Sequence, residues 1–570
     1  MSNLAGTIHK ADAPYVSVIS ENQIEVRLQT PKDIVMTVDL GYNDPYNYLK
    51  TNINKWIELE TTMTKFATDD LYDWWRVILT VDTKRFAYNF KISTKEDGLW
   101  YLTEAGLTRD YEVLYQFNHP FSHTSEIFTY PKWVDSAIWY QIFPDRFATS
   151  KDDSNWHQGP VDNKEVYGGD INGIISKLDY LKELGINSIY FTPIFTAGST
   201  HKYDTIDYFS IDPQFGTDED FQSLINEAHK RDIRIMLDGV FNHSSSEHPY
   251  FIDVLQNKQD SKYKDWYHIR DYDKLDRVYK EDFRELKAYD SFAYTERMPK
   301  LNTQNPEVIE YIFKAVTKWT EMGIDGWRLD VANEVDHKFW KLFKQHVTAI
   351  NPDIYIVGEI WHDAYSWLRG DEFHAVMNYK YTNSIIDYFF KQKIELQQFK
   401  DRTTRASLEN ITAVNKAAFN VLDSHDTMRI SNMCDFNIEN QKLGTVFLFT
   451  ALGSPCIYYG TEVGLTGSQD PDNRRLMSWD SSNWNSNLLE FYKQIIAVRK
   501  NHPVLANDGQ FEFIDSEVCM YKRFDQESEY RIILNNSENA IDYISKNIIV
   551  AEGYQHSKLQ SKGFIIDKLK

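Results

Sequence analysis

Hydrophobic and polar residues alternate in short runs along the first part of the chain. Alternation over about four to eight residues is typical of β-strands with one buried and one exposed face. Polar turn segments such as GYNDPYN and TKEDG separate the runs. The pattern predicts an all-β sandwich over residues 1–122. The runs are YVSVIS, QIEVRLQT, VMTVDL, WWRVILTV and FAYNFKIS, and the polar segment NHPFSHTSEIFTYPKW that follows is typical of a linker.

From Val134 the pattern changes to short apolar runs that alternate with amphipathic segments such as GIISKLDYLKELG and DFQSLINEAHKRD. Repeated strand-then-helix units predict a (β/α)8 barrel, here over residues 123–243 and 303–505. The eight apolar runs are AIWYQIF, SIYFTPI, IRIMLDGV, GWRLDV, IYIVGEI, AVMNY, AFNVLD and PCIYYG.

One interval of the barrel pattern is much longer than the others and runs from Ser244 to Asn302. A loop this long inside a compact domain predicts an inserted subdomain over residues 244–302, which we call subdomain B. After Leu505, strand patterns return and predict a C-terminal β-sandwich over residues 506–570. Their runs are FEFI, VCMYKRF, YRIILNN, IDYIS and KNIIV.

Composition and charge limit the classes of partner. The 570 residues carry a formal net charge of −22. This argues against nucleic acid as a partner, because binding phosphates requires clustered Lys and Arg. Aromatic residues make up 15% of the chain. Trp and Tyr serve as core residues and also as platforms for the apolar faces of sugars, so composition leaves both interpretations open.

Cysteine content and hydropathy bear on the cellular compartment. Cys434, Cys456 and Cys519 form no CxxC pair and predict no disulfide framework. The segment MSNLAGTIHKADAP has no continuous apolar stretch of the kind found in signal peptides. A run of 18 apolar residues, which a membrane span would need, does not occur in the sequence. We therefore expect a cytoplasmic protein without a membrane partner.

Polar residues gather at the predicted C-terminal ends of the barrel strands, where barrels of this kind carry their functional residues. Each residue alone is compatible with a helix cap or a surface ion pair. Several carboxylates at one mouth repel one another, however, and are costly as structure alone. The residues are Asp238, Asn242 and His243 on strand 3, Arg328 and Asp330 on strand 4, Glu359 on strand 5, and Asp423, His425 and Asp426 on strand 7.

These acids suit the cleavage of glycosidic bonds with retention of configuration. A retaining mechanism needs a nucleophilic carboxylate and a second carboxyl group about 5–5.5 Å away, which acts as acid and then as base. Asp330 is a candidate nucleophile, because Arg328 on the same strand face would keep it ionised. Glu359 is a candidate acid, because its apolar sequence neighbours would raise its pKa. Asp426 and the two His would bind sugar hydroxyls.

Four segments carry a resemblance to the α-amylase family of glycoside hydrolases along nearly the whole chain. They are DGVFNH (238–243), GWRLDVANE (326–334), GEIW (358–361) and LDSHDT (422–427), in order on the expected strands. The resemblance implies that Asp330 is the nucleophile, Glu359 the acid/base and Asp426 the transition-state stabiliser. It further implies that Arg328, His243 and His425 line the −1 subsite, and that His201 and Tyr203 are the family's His and stacking Tyr after strand 2.

Finer motifs resemble the neopullulanase, cyclomaltodextrinase and maltogenic amylase group. In that group the N-terminal domain forms a homodimer and narrows access to the active site. The resemblance therefore implies α-glucans that are cyclic or short, such as cyclodextrins and maltooligosaccharides, ahead of polymeric starch. The implied substrate-binding residues are Trp361, Glu334 on the acceptor side, Asp470 and Arg474. The motifs are NDPY (43–46), DWW (73–75), MPKLN (298–302), VANE (331–334), GEIWH (358–362), WLRGDEF (367–373), GSPCIYYGTEVG (453–464) and DPDNRR (470–475).

One departure from the family concerns calcium. Several members carry a calcium site after strand 1, following RFA. Here RFA is followed by TSKDDSNW, so Lys151 falls where a carboxylate ligand belongs. An ammonium group cannot ligate calcium, which takes oxygen donors. We expect that no metal is required, and the residues that could form a displaced site are Asp152, Asp153, Gly168 and Asp170.

Three alternatives stay open to different degrees. A barrel metallohydrolase is disfavoured, because the 16 His form neither HxH nor HExxH. A non-catalytic glucan-binding protein would be expected to have lost a catalytic carboxylate, and all three are present. A glucan transferase on the same scaffold shares the glycosyl-enzyme and differs only in the acceptor, so transglycosylation stays open. The ranking of cyclodextrins, pullulan and starch, and cleavage of α-1,6 bonds, also stay open.

Overall fold

The computed structural model describes residues 4–49, 52–110, 115–151, 156–507 and 509–570. The chain forms two compact units: residues 1–129 with 394–415, and residues 130–393 with 416–570. The stretch 394–415, which the sequence pattern left inside the barrel, therefore groups with the N-terminal residues. The predicted domain boundaries at residues 122, 243, 302 and 505 stay predictions.

The first unit contains two antiparallel sheets. One has the strand order Val16–Ser20, Gln23–Pro31, Tyr72–Thr80 and Thr64–Thr68. The other has the order Gly106–Thr108, Gly98–Thr103, Phe86–Thr94, Val35–Asn43 and Leu59–Thr62. Phe117–His119 also pairs with Phe86–Thr94, so the predicted linker begins after His119. A small ribbon pairs Tyr48–Leu49 with Asn52–Trp56.

Alternating apolar side chains explain why these strands form a sandwich. One face of each strand is buried in a shared core, which includes Val26, Leu28, Val38, Leu40, Phe90 and Ile92. Arg27 is also buried, and its charge is paired with Glu25 at 2.7 Å. Its guanidinium donates to the carbonyl of Asn410 at 2.9 Å. That contact lies in the same unit, which also contains the helix Leu396–Leu408.

The second unit is built on eight parallel strands, which we number as barrel strands 1 to 8. Neighbouring strands pair in the order 6-5-4-3-2-1-8-7. A single parallel bridge between Met377 and Phe419 joins strand 6 to strand 7 and completes the ring. We call this junction the seam. The strands are Trp139–Ile142, Ser188–Phe191, Arg234–Gly239, Gly326–Leu329, Tyr355–Gly358, Ala375–Val376, Phe419–Val421 and Ser454–Tyr458.

Helices follow the strands as the sequence predicts, and local capping explains where they begin. Thr217 accepts from the amide of Asp220 in a capping box, and Asn305 caps the helix after subdomain B. Apolar residues at helical spacing face the barrel, for example Val308, Ile312 and Trp319. The main helices are Ile171–Ile175, Leu178–Leu184, Asp218–His229, Pro306–Glu321, His337–Ile350, Tyr379–Ile385, Thr412–Ala417, Ile430–Met433, Ile438–Thr450 and Ser486–Asn501, with a short helix Pro144–Phe147 and a π-helix Ile386–Phe390.

Subdomain B is ordered by aromatic packing rather than by long elements. Tyr250 and Tyr263 stack with ring centroids 4.0 Å apart, and Phe251 meets Tyr267 edge to face. An antiparallel bridge between His243 and Lys300 returns the chain to strand 3. Its helices are Pro249–Asn257 and Phe283–Leu286. The antiparallel pair Phe195–Ala197 and Thr205–Ile211 belongs to the loop after strand 2. Its 3-10 turns are Lys258–Asp260, Lys264–Trp266, Tyr272–Arg277 and Phe292–Tyr294.

The C-terminal residues form an antiparallel sheet. The long strand Lys558–Lys568 pairs with three others and so joins all six strands into one hydrogen-bonded system. Its partners are Glu529–Leu534, Ile541–Asp542 and Ile548–Gln555, and Gln510–Phe513 and Cys519–Phe524 extend the sheet. The predicted fold class, a (β/α)8 barrel with an inserted subdomain and flanking all-β domains, is confirmed. Within the described ranges, every helix is too short or too polar to span a lipid bilayer.

Candidate active site

Barrel strands 3, 4 and 5 bring their polar end residues to one level. Parallel pairing places Asp238 beside Arg328 and Leu329 beside Gly358. Because side chains alternate along a strand, Arg328 and Asp330 point the same way, towards the end of strand 5 that carries Glu359. The sequence prediction that these strand ends converge is therefore met in the geometry.

Arg328 forms the centre of a buried charge cluster. Its Nη1 lies 2.9 Å from Asp238 Oδ2 and 2.9 Å from Asp330 Oδ1. Its Nη2 lies 2.9 Å from Glu359 Oε2. The guanidinium is fully buried, so these ion pairs are little screened by solvent. One cation thus fixes three carboxylates from three adjacent strands.

The same cluster controls protonation. Burial raises the pKa of Asp330 well above its ordinary value, against the attraction of Arg328, and the charges of Glu359 and Asp238 add to the rise. This corrects the sequence expectation that Arg328 keeps Asp330 ionised, because the effect of burial exceeds the attraction of the guanidinium. Burial likewise raises the pKa of Asp238 to about 6, again opposed by Arg328. One guanidinium cannot compensate three carboxylates. The cluster therefore binds a proton more readily than three isolated carboxylates would.

Glu359 lies among hydrogen-bond donors, which corrects the expectation from its apolar sequence neighbours. Its Oε2 accepts from the backbone amide of Val331 at 3.0 Å, and its Oε1 accepts from Trp361 Nε1 at 2.9 Å. The residues next to Glu359 in sequence do not determine what surrounds its carboxyl group. Its hydrogen-bond donors are the amide of Val331, in the loop after strand 4, and the indole of Trp361. These donors fix the orientation of both carboxyl oxygens.

The two donors to Glu359 differ from ordinary residues: Val331 in its backbone conformation and Trp361 in its exposure. Val331 has left-handed backbone angles, with φ of 45°, which is strained for a β-branched residue. Trp361 is 45% exposed, and its ring stacks on Tyr379 with centroids 3.5 Å apart and 7° between the planes. A flat, accessible aromatic surface thus adjoins Glu359. Such a surface suits the apolar face of a sugar ring.

Asp426 stands in the loop after strand 7 and keeps 28% of its side-chain surface exposed. Protein nevertheless surrounds it on most sides in the cleft, and this burial raises its pKa, while Arg328 and Arg474 oppose the rise. Its Oδ2 lies 3.2 Å from His425 Nε2, and its Oδ1 lies 3.9 Å from Arg474 Nη2. Asp426 is the most accessible member of the predicted catalytic trio, and its carboxylate has few close partners.

His425 is fully buried and is held at both ring nitrogens. Gln141 Nε2 lies 2.7 Å from Nδ1, and the Tyr203 hydroxyl lies 2.5 Å from Nε2. With the Gln141 amide donating to Nδ1, the neutral ring carries its proton on Nε2. Burial lowers the pKa of His425 well below its ordinary value, and the charges of Arg474 and Arg328 add to this. The imidazole is therefore neutral at physiological pH.

Tyr203 connects His425 to the charge cluster. Its ring stacks on His425 with 7° between the planes, and its hydroxyl donates to Asp238 Oδ2 at 3.1 Å. Tyr190 donates to the same carboxylate oxygen at 2.7 Å. A continuous hydrogen-bonded chain thus runs from strand 1 through His425 and Tyr203 to strand 3. Tyr203 occupies the site through polar contacts as well as stacking.

His201 lies within the loop after strand 2, and His243 contacts that loop from the end of strand 3. Nδ1 of His201 accepts from the amide of Tyr203 at 3.1 Å. His243 is fully buried, with Nε2 3.1 Å from the carbonyl of Tyr203 and Nδ1 3.2 Å from Asn242 Nδ2. Burial lowers the pKa of His243 to about 3. Both ring nitrogens of His243 are engaged within the protein, so in this structure it supports the Tyr203 loop.

Glu334 lies on the subdomain B side of the site. Lys300 Nζ lies 3.4 Å from its carboxylate and donates to its carbonyl at 2.8 Å. Lys300 also donates to the side chain of Asn242. One lysine therefore connects the loop after strand 3, the end of subdomain B and the loop after strand 4. The Glu334 side chain remains 42% exposed and accessible from the cleft.

Asp470 and Arg474 form the edge of the site in the loop after strand 8. Arg474 Nη1 lies 3.1 Å from Asp470 Oδ1, and Asn163 Nδ2 donates to the same oxygen at 2.9 Å. Arg474 Nε donates to the carbonyl of His425 at 3.0 Å. The structure thus brings Arg474 to the catalytic loop and places Asp470 further out, where its side chain is half exposed.

Sequence reasoning missed several residues that hold the site together. Gln141 and Tyr190 lie within apolar runs of the sequence, so the pattern gave no sign of their role. Their partners, His425 and Asp238, are 284 and 48 positions away along the chain. Tyr379 gave no signal outside the apolar run AVMNY. Lys300 lies within the motif MPKLN. A lysine in this motif was a signal that could have identified it as a residue of the site. Long-range pairing of this kind cannot be derived from local periodicity.

Of the candidate calcium residues that the structure describes, Asp170 accepts hydrogen bonds from protein donors, and Gly168 donates its amide to another carboxylate. Ser150 Oγ donates to Asp170 Oδ2 at 2.7 Å, and the amide of Gly173 donates to Asp170 Oδ1 at 2.6 Å. The amide of Gly168 donates to Asp145 Oδ1 at 3.1 Å. Asp152 and Asp153 lie outside the described residues. Asp170 therefore acts as the N-cap of the helix Ile171–Ile175.

Comparison with known proteins agrees with this architecture. The model of the α-amylase catalytic domain matches residues 141–486, and that of the α-amylase N-terminal ig-like domain matches residues 1–123. A solved structure named cyclomaltodextrinase superposes with a TM-score of 0.90 at 37% identity and covers 100% of both chains.

Three characterised relatives are similar over most of their length. An intracellular maltogenic amylase of Bacillus subtilis (strain 168) is 42% identical, with 86% of this chain and 83% of the relative covered. A cyclomaltodextrinase of Geobacillus thermopakistaniensis (strain MAS1) is 42% identical, with 94% and 91% covered. Neopullulanase 2 of Thermoactinomyces vulgaris is 40% identical, with 94% and 91% covered. The chain belongs to the α-amylase family of glycoside hydrolases, in the group of maltogenic amylases, cyclomaltodextrinases and neopullulanases.

Proposed function

We propose that this enzyme hydrolyses internal α-1,4-glucosidic bonds with retention of configuration. Cyclodextrins and short maltooligosaccharides are its main substrates, ahead of pullulan and starch. The observation that carries the proposal is the Arg328 guanidinium, which lies 2.9 Å from both Asp330 and Glu359. Two carboxyl groups on adjacent strands are thereby held at one point of the cleft, as the two-carboxylate cleavage of a glycosidic bond requires.

The family to which the chain belongs assigns the roles of the two carboxyl groups. Asp330 attacks the anomeric carbon, while Glu359 gives its proton to the departing glycosidic oxygen. Water then releases the sugar from Asp330, and Glu359 recovers its proton from that water. The amide of Val331 and the indole of Trp361 keep Glu359 oriented through both steps. A sugar hydroxyl in place of water gives transglycosylation from the same intermediate.

Asp426 and His425 contribute to the transition state rather than to bond making. The developing oxocarbenium ion is positively charged, so the accessible Asp426 carboxylate stabilises it electrostatically. His425 offers a neutral ring with its proton on Nε2, next to Asp426 Oδ2 at 3.2 Å. A neutral ring at this position holds Tyr203 and adjoins Asp426 without adding positive charge to the site. Both groups therefore favour the transition state over the bound substrate.

Substrate preference follows from the accessible surfaces beside the acids. The stacked Trp361 and Tyr379 offer a flat platform for a glucose ring, and Glu334 offers an exposed carboxylate on the acceptor side. The relatives called cyclomaltodextrinase and neopullulanase support cyclic maltodextrins and pullulan as substrates. His201, Tyr203, Arg474 and Asp470 would complete the binding of sugar hydroxyls.

The direct test is to compare initial rates on β-cyclodextrin, pullulan and soluble starch. We expect the highest kcat/KM on β-cyclodextrin. Proton NMR immediately after cleavage should show a first product of α configuration, because two inversions at the anomeric carbon restore it. A first product of β configuration would rule out Asp330 as nucleophile. Binding of β-cyclodextrin without any turnover would favour a glucan-binding protein instead.

We further propose that activity needs no metal. Support comes from Asp170, whose oxygens accept from Ser150 and Gly173, and from Lys151, an ammonium group at the position expected for a ligand. The loop of strand 1 is thus tied by hydrogen bonds to the following helix.

We also propose a cytoplasmic homodimer that forms through the N-terminal domain. The name intracellular maltogenic amylase, given to a relative 42% identical, supports the compartment. The N-terminal sandwich exposes several large apolar side chains, which supports an interface: Met36, Tyr46, Leu59, Leu71, Ile78 and Leu99. Light scattering on the full chain should give twice the monomer mass of 67.1 kDa. A monomer at micromolar concentration would contradict this proposal.

A further inference from the structure

Asn473 is a fully buried residue in the loop after strand 8 whose side chain reaches across to the loop after strand 7. Its Nδ2 donates to the carbonyl of His425 at 2.7 Å and to the carbonyl of Thr427 at 2.8 Å. The carbonyl of Ser424 lies 3.4 Å away. A side-chain amide has two hydrogens, so the two short bonds use its whole donor capacity.

The two carbonyls that Asn473 binds belong to the residues on either side of Asp426. The Asp426 carboxylate has only distant or weak partners of its own, with Arg474 3.9 Å from Oδ1 and His425 3.2 Å from Oδ2. Its position is therefore set mainly by the backbone that carries it. Asn473 holds that backbone before and after the carboxylate.

The backbone of Asn473 is itself held by a hydrogen bond from a buried arginine. Arg429, which is fully buried, donates through Nε to the carbonyl of Asn473 at 2.8 Å and through Nη1 to the carbonyl of Tyr459 at 2.6 Å. The amide of Arg429 donates to Gly467 at 3.1 Å. Arg429 thus joins the start of the helix Ile430–Met433 to the end of strand 8 and to the loop that carries Asn473. A rigid donor of this kind can hold a neighbouring loop at a fixed distance.

We propose that Asn473 is a positioning residue, which fixes the loop 424–427 so that the Asp426 carboxylate faces the reacting sugar. It touches neither substrate nor the reacting atoms. The inference rests on the proposed function, because it assumes that Asp426 stabilises the transition state. Loss of the clamp should affect the transition state more than the bound substrate, since Asp426 acts mainly on the former.

The deciding variant is Asn473→Asp, which keeps the size of the side chain and replaces the donor by an acceptor that faces three carbonyl oxygens. We expect kcat on β-cyclodextrin to fall by about 100-fold, the effect of a small displacement of a catalytic group. KM should stay within about 3-fold of the wild type, because ground-state binding is retained. Affinity for acarbose, which resembles the half-chair sugar, should fall in parallel with kcat/KM.

The pH dependence gives a readout that general loosening of the loop would not produce. When the introduced carboxyl is protonated it gains one O–H donor and can again bind a carbonyl. The rate of Asn473→Asp relative to wild type should therefore rise as the pH is lowered through the pKa of that carboxyl, which its carbonyl neighbours place above the ordinary value. A pH-independent ratio would count against the clamp.

Asp472→Asn is the matched control from the same turn. The Asp472 carboxylate bonds to the amide of Ser468 at 2.8 Å and to Arg475 Nε at 2.7 Å, within its own loop. Its change should leave kcat within about 3-fold of wild type. If Asn473→Asp fails to fold, as judged by circular dichroism, Asn473→Ser decides, with an expected loss of about 10-fold in kcat from the missing second donor.

Several outcomes would overturn the inference. A folded Asn473→Asp or Asn473→Ser with kcat near that of the wild type would do so, as would an equal loss in Asp472→Asn. A fall in affinity for substrate with unchanged kcat would point to a binding role instead. A wild type that cleaves no α-glucan would overturn the proposed function and this inference together. An active wild type beside an unimpaired Asn473→Asp would overturn this inference alone.

Discussion

At the scale of single residues, Arg328 supplies the positive charge that allows three carboxylates to be buried together in the site. Three carboxylates would not share a buried pocket without a cation, because each buried charge needs a partner. Arg328 supplies Nη1 to Asp238 and Asp330 and Nη2 to Glu359. The planar guanidinium can meet several carboxylates in fixed directions, which a lysine cannot. The residue is thus a structural requirement of the chemistry as well as a member of the site.

Removal of either reacting carboxylate should abolish turnover. Asp330→Asn deletes the nucleophile and Glu359→Gln deletes the acid/base, so kcat on β-cyclodextrin should fall by at least about 1,000-fold in each variant. The fold should persist, because an amide of the same shape relieves the repulsion in the cluster. Rate measurements with a thermal melt would check both statements.

The matched control is Asp325→Asn, at the opposite end of barrel strand 4. Asp325 pairs with Arg234 at 2.7 Å and with His229 at 2.8 Å. Residues at that end of a barrel serve stability rather than catalysis. Its change should lower Tm and leave kcat within about 3-fold of wild type. Near-normal turnover by Asp330→Asn or Glu359→Gln would contradict the assignment of the acids.

Gln141→Glu should make activity sensitive to the charge of His425. Burial and nearby arginines keep the pKa of His425 below its ordinary value, so in the wild type the ring is neutral across neutral pH. A carboxylate at the Gln141 position, 2.7 Å from Nδ1, would favour the imidazolium and raise that pKa. The imidazolium exists below the raised pKa, where its charge would oppose the oxocarbenium ion.

The expected observation is a shift of the acidic limb of the kcat/KM profile to higher pH, by about one unit. NMR titration of the histidine ring protons would report the change directly. Gln141→Leu serves as the control, since it removes the donor without adding charge and should leave the shape of the profile unchanged. An acidic limb at the wild-type position in Gln141→Glu would show that His425 is not controlled from strand 1.

At the scale of elements, the sequence pattern predicted which strands and helices form but not how the loops conform. Seven barrel strands lie within the predicted apolar runs and strand 8 begins one residue earlier, at Ser454, because period and turn residues are local properties. The left-handed conformation of Val331 could not be predicted, since its sequence favours an extended backbone. It is imposed by the turn from Asp330 to the short helix Ala332–Glu334. Strain of this kind is visible only in three dimensions.

Val331→Gly should separate stability from activity in this turn. Glycine removes a strain of about 1–3 kcal/mol but loses more backbone entropy on folding, by roughly 0.5–1 kcal/mol, and loses side-chain packing. We expect the free energy of unfolding to change by less than about 1 kcal/mol. The amide that binds Glu359 loses its fixed direction, so kcat should fall by about 10-fold.

Chemical denaturation and steady-state kinetics on the same preparation would test this. Val331→Asn is the matched variant, because asparagine tolerates the left-handed region while keeping a side chain. It should retain more activity than Val331→Gly. Equal activity in both variants and the wild type would mean that Glu359 is oriented without help from this amide.

At the scale of the whole molecule, the order of domains was predictable and some of their membership was not. Alternation of period two at both ends and a β-then-α rhythm between them are enough to predict the three-part chain. The stretch 394–415 groups with the N-terminal residues through contacts such as Arg27 to Asn410. Its helical pattern continues the barrel rhythm, so nothing local distinguishes it. Pairing across 383 positions cannot be predicted from a periodic pattern.

Dialysis against EDTA should leave both kcat and Tm unchanged. Asp170 is already satisfied by Ser150 and Gly173, so no unpaired carboxylate is left there when divalent ions are removed. Thermal melts and rates before dialysis, after it and after return of calcium chloride give the comparison. A Tm that falls with EDTA and returns with calcium would show that Asp152 or Asp153 contributes to a displaced site.

The seam is the junction at which we expect the barrel to open locally most easily. Strand 6 contains only Ala375–Val376, and its link to strand 7 is the single bridge from Met377 to Phe419, with the amide of Asn378 donating to Phe419 at 2.9 Å. Among the described barrel strands, this junction has the fewest paired residues, so opening the ring there breaks the fewest backbone ladder bonds. In hydrogen–deuterium exchange, the amides of strand 6 should lose protection before those of strands 3 and 4. Opening at the seam would separate the loop after strand 7, which carries Asp426, from strand 6 and the neighbouring strand 5, which leads to Glu359.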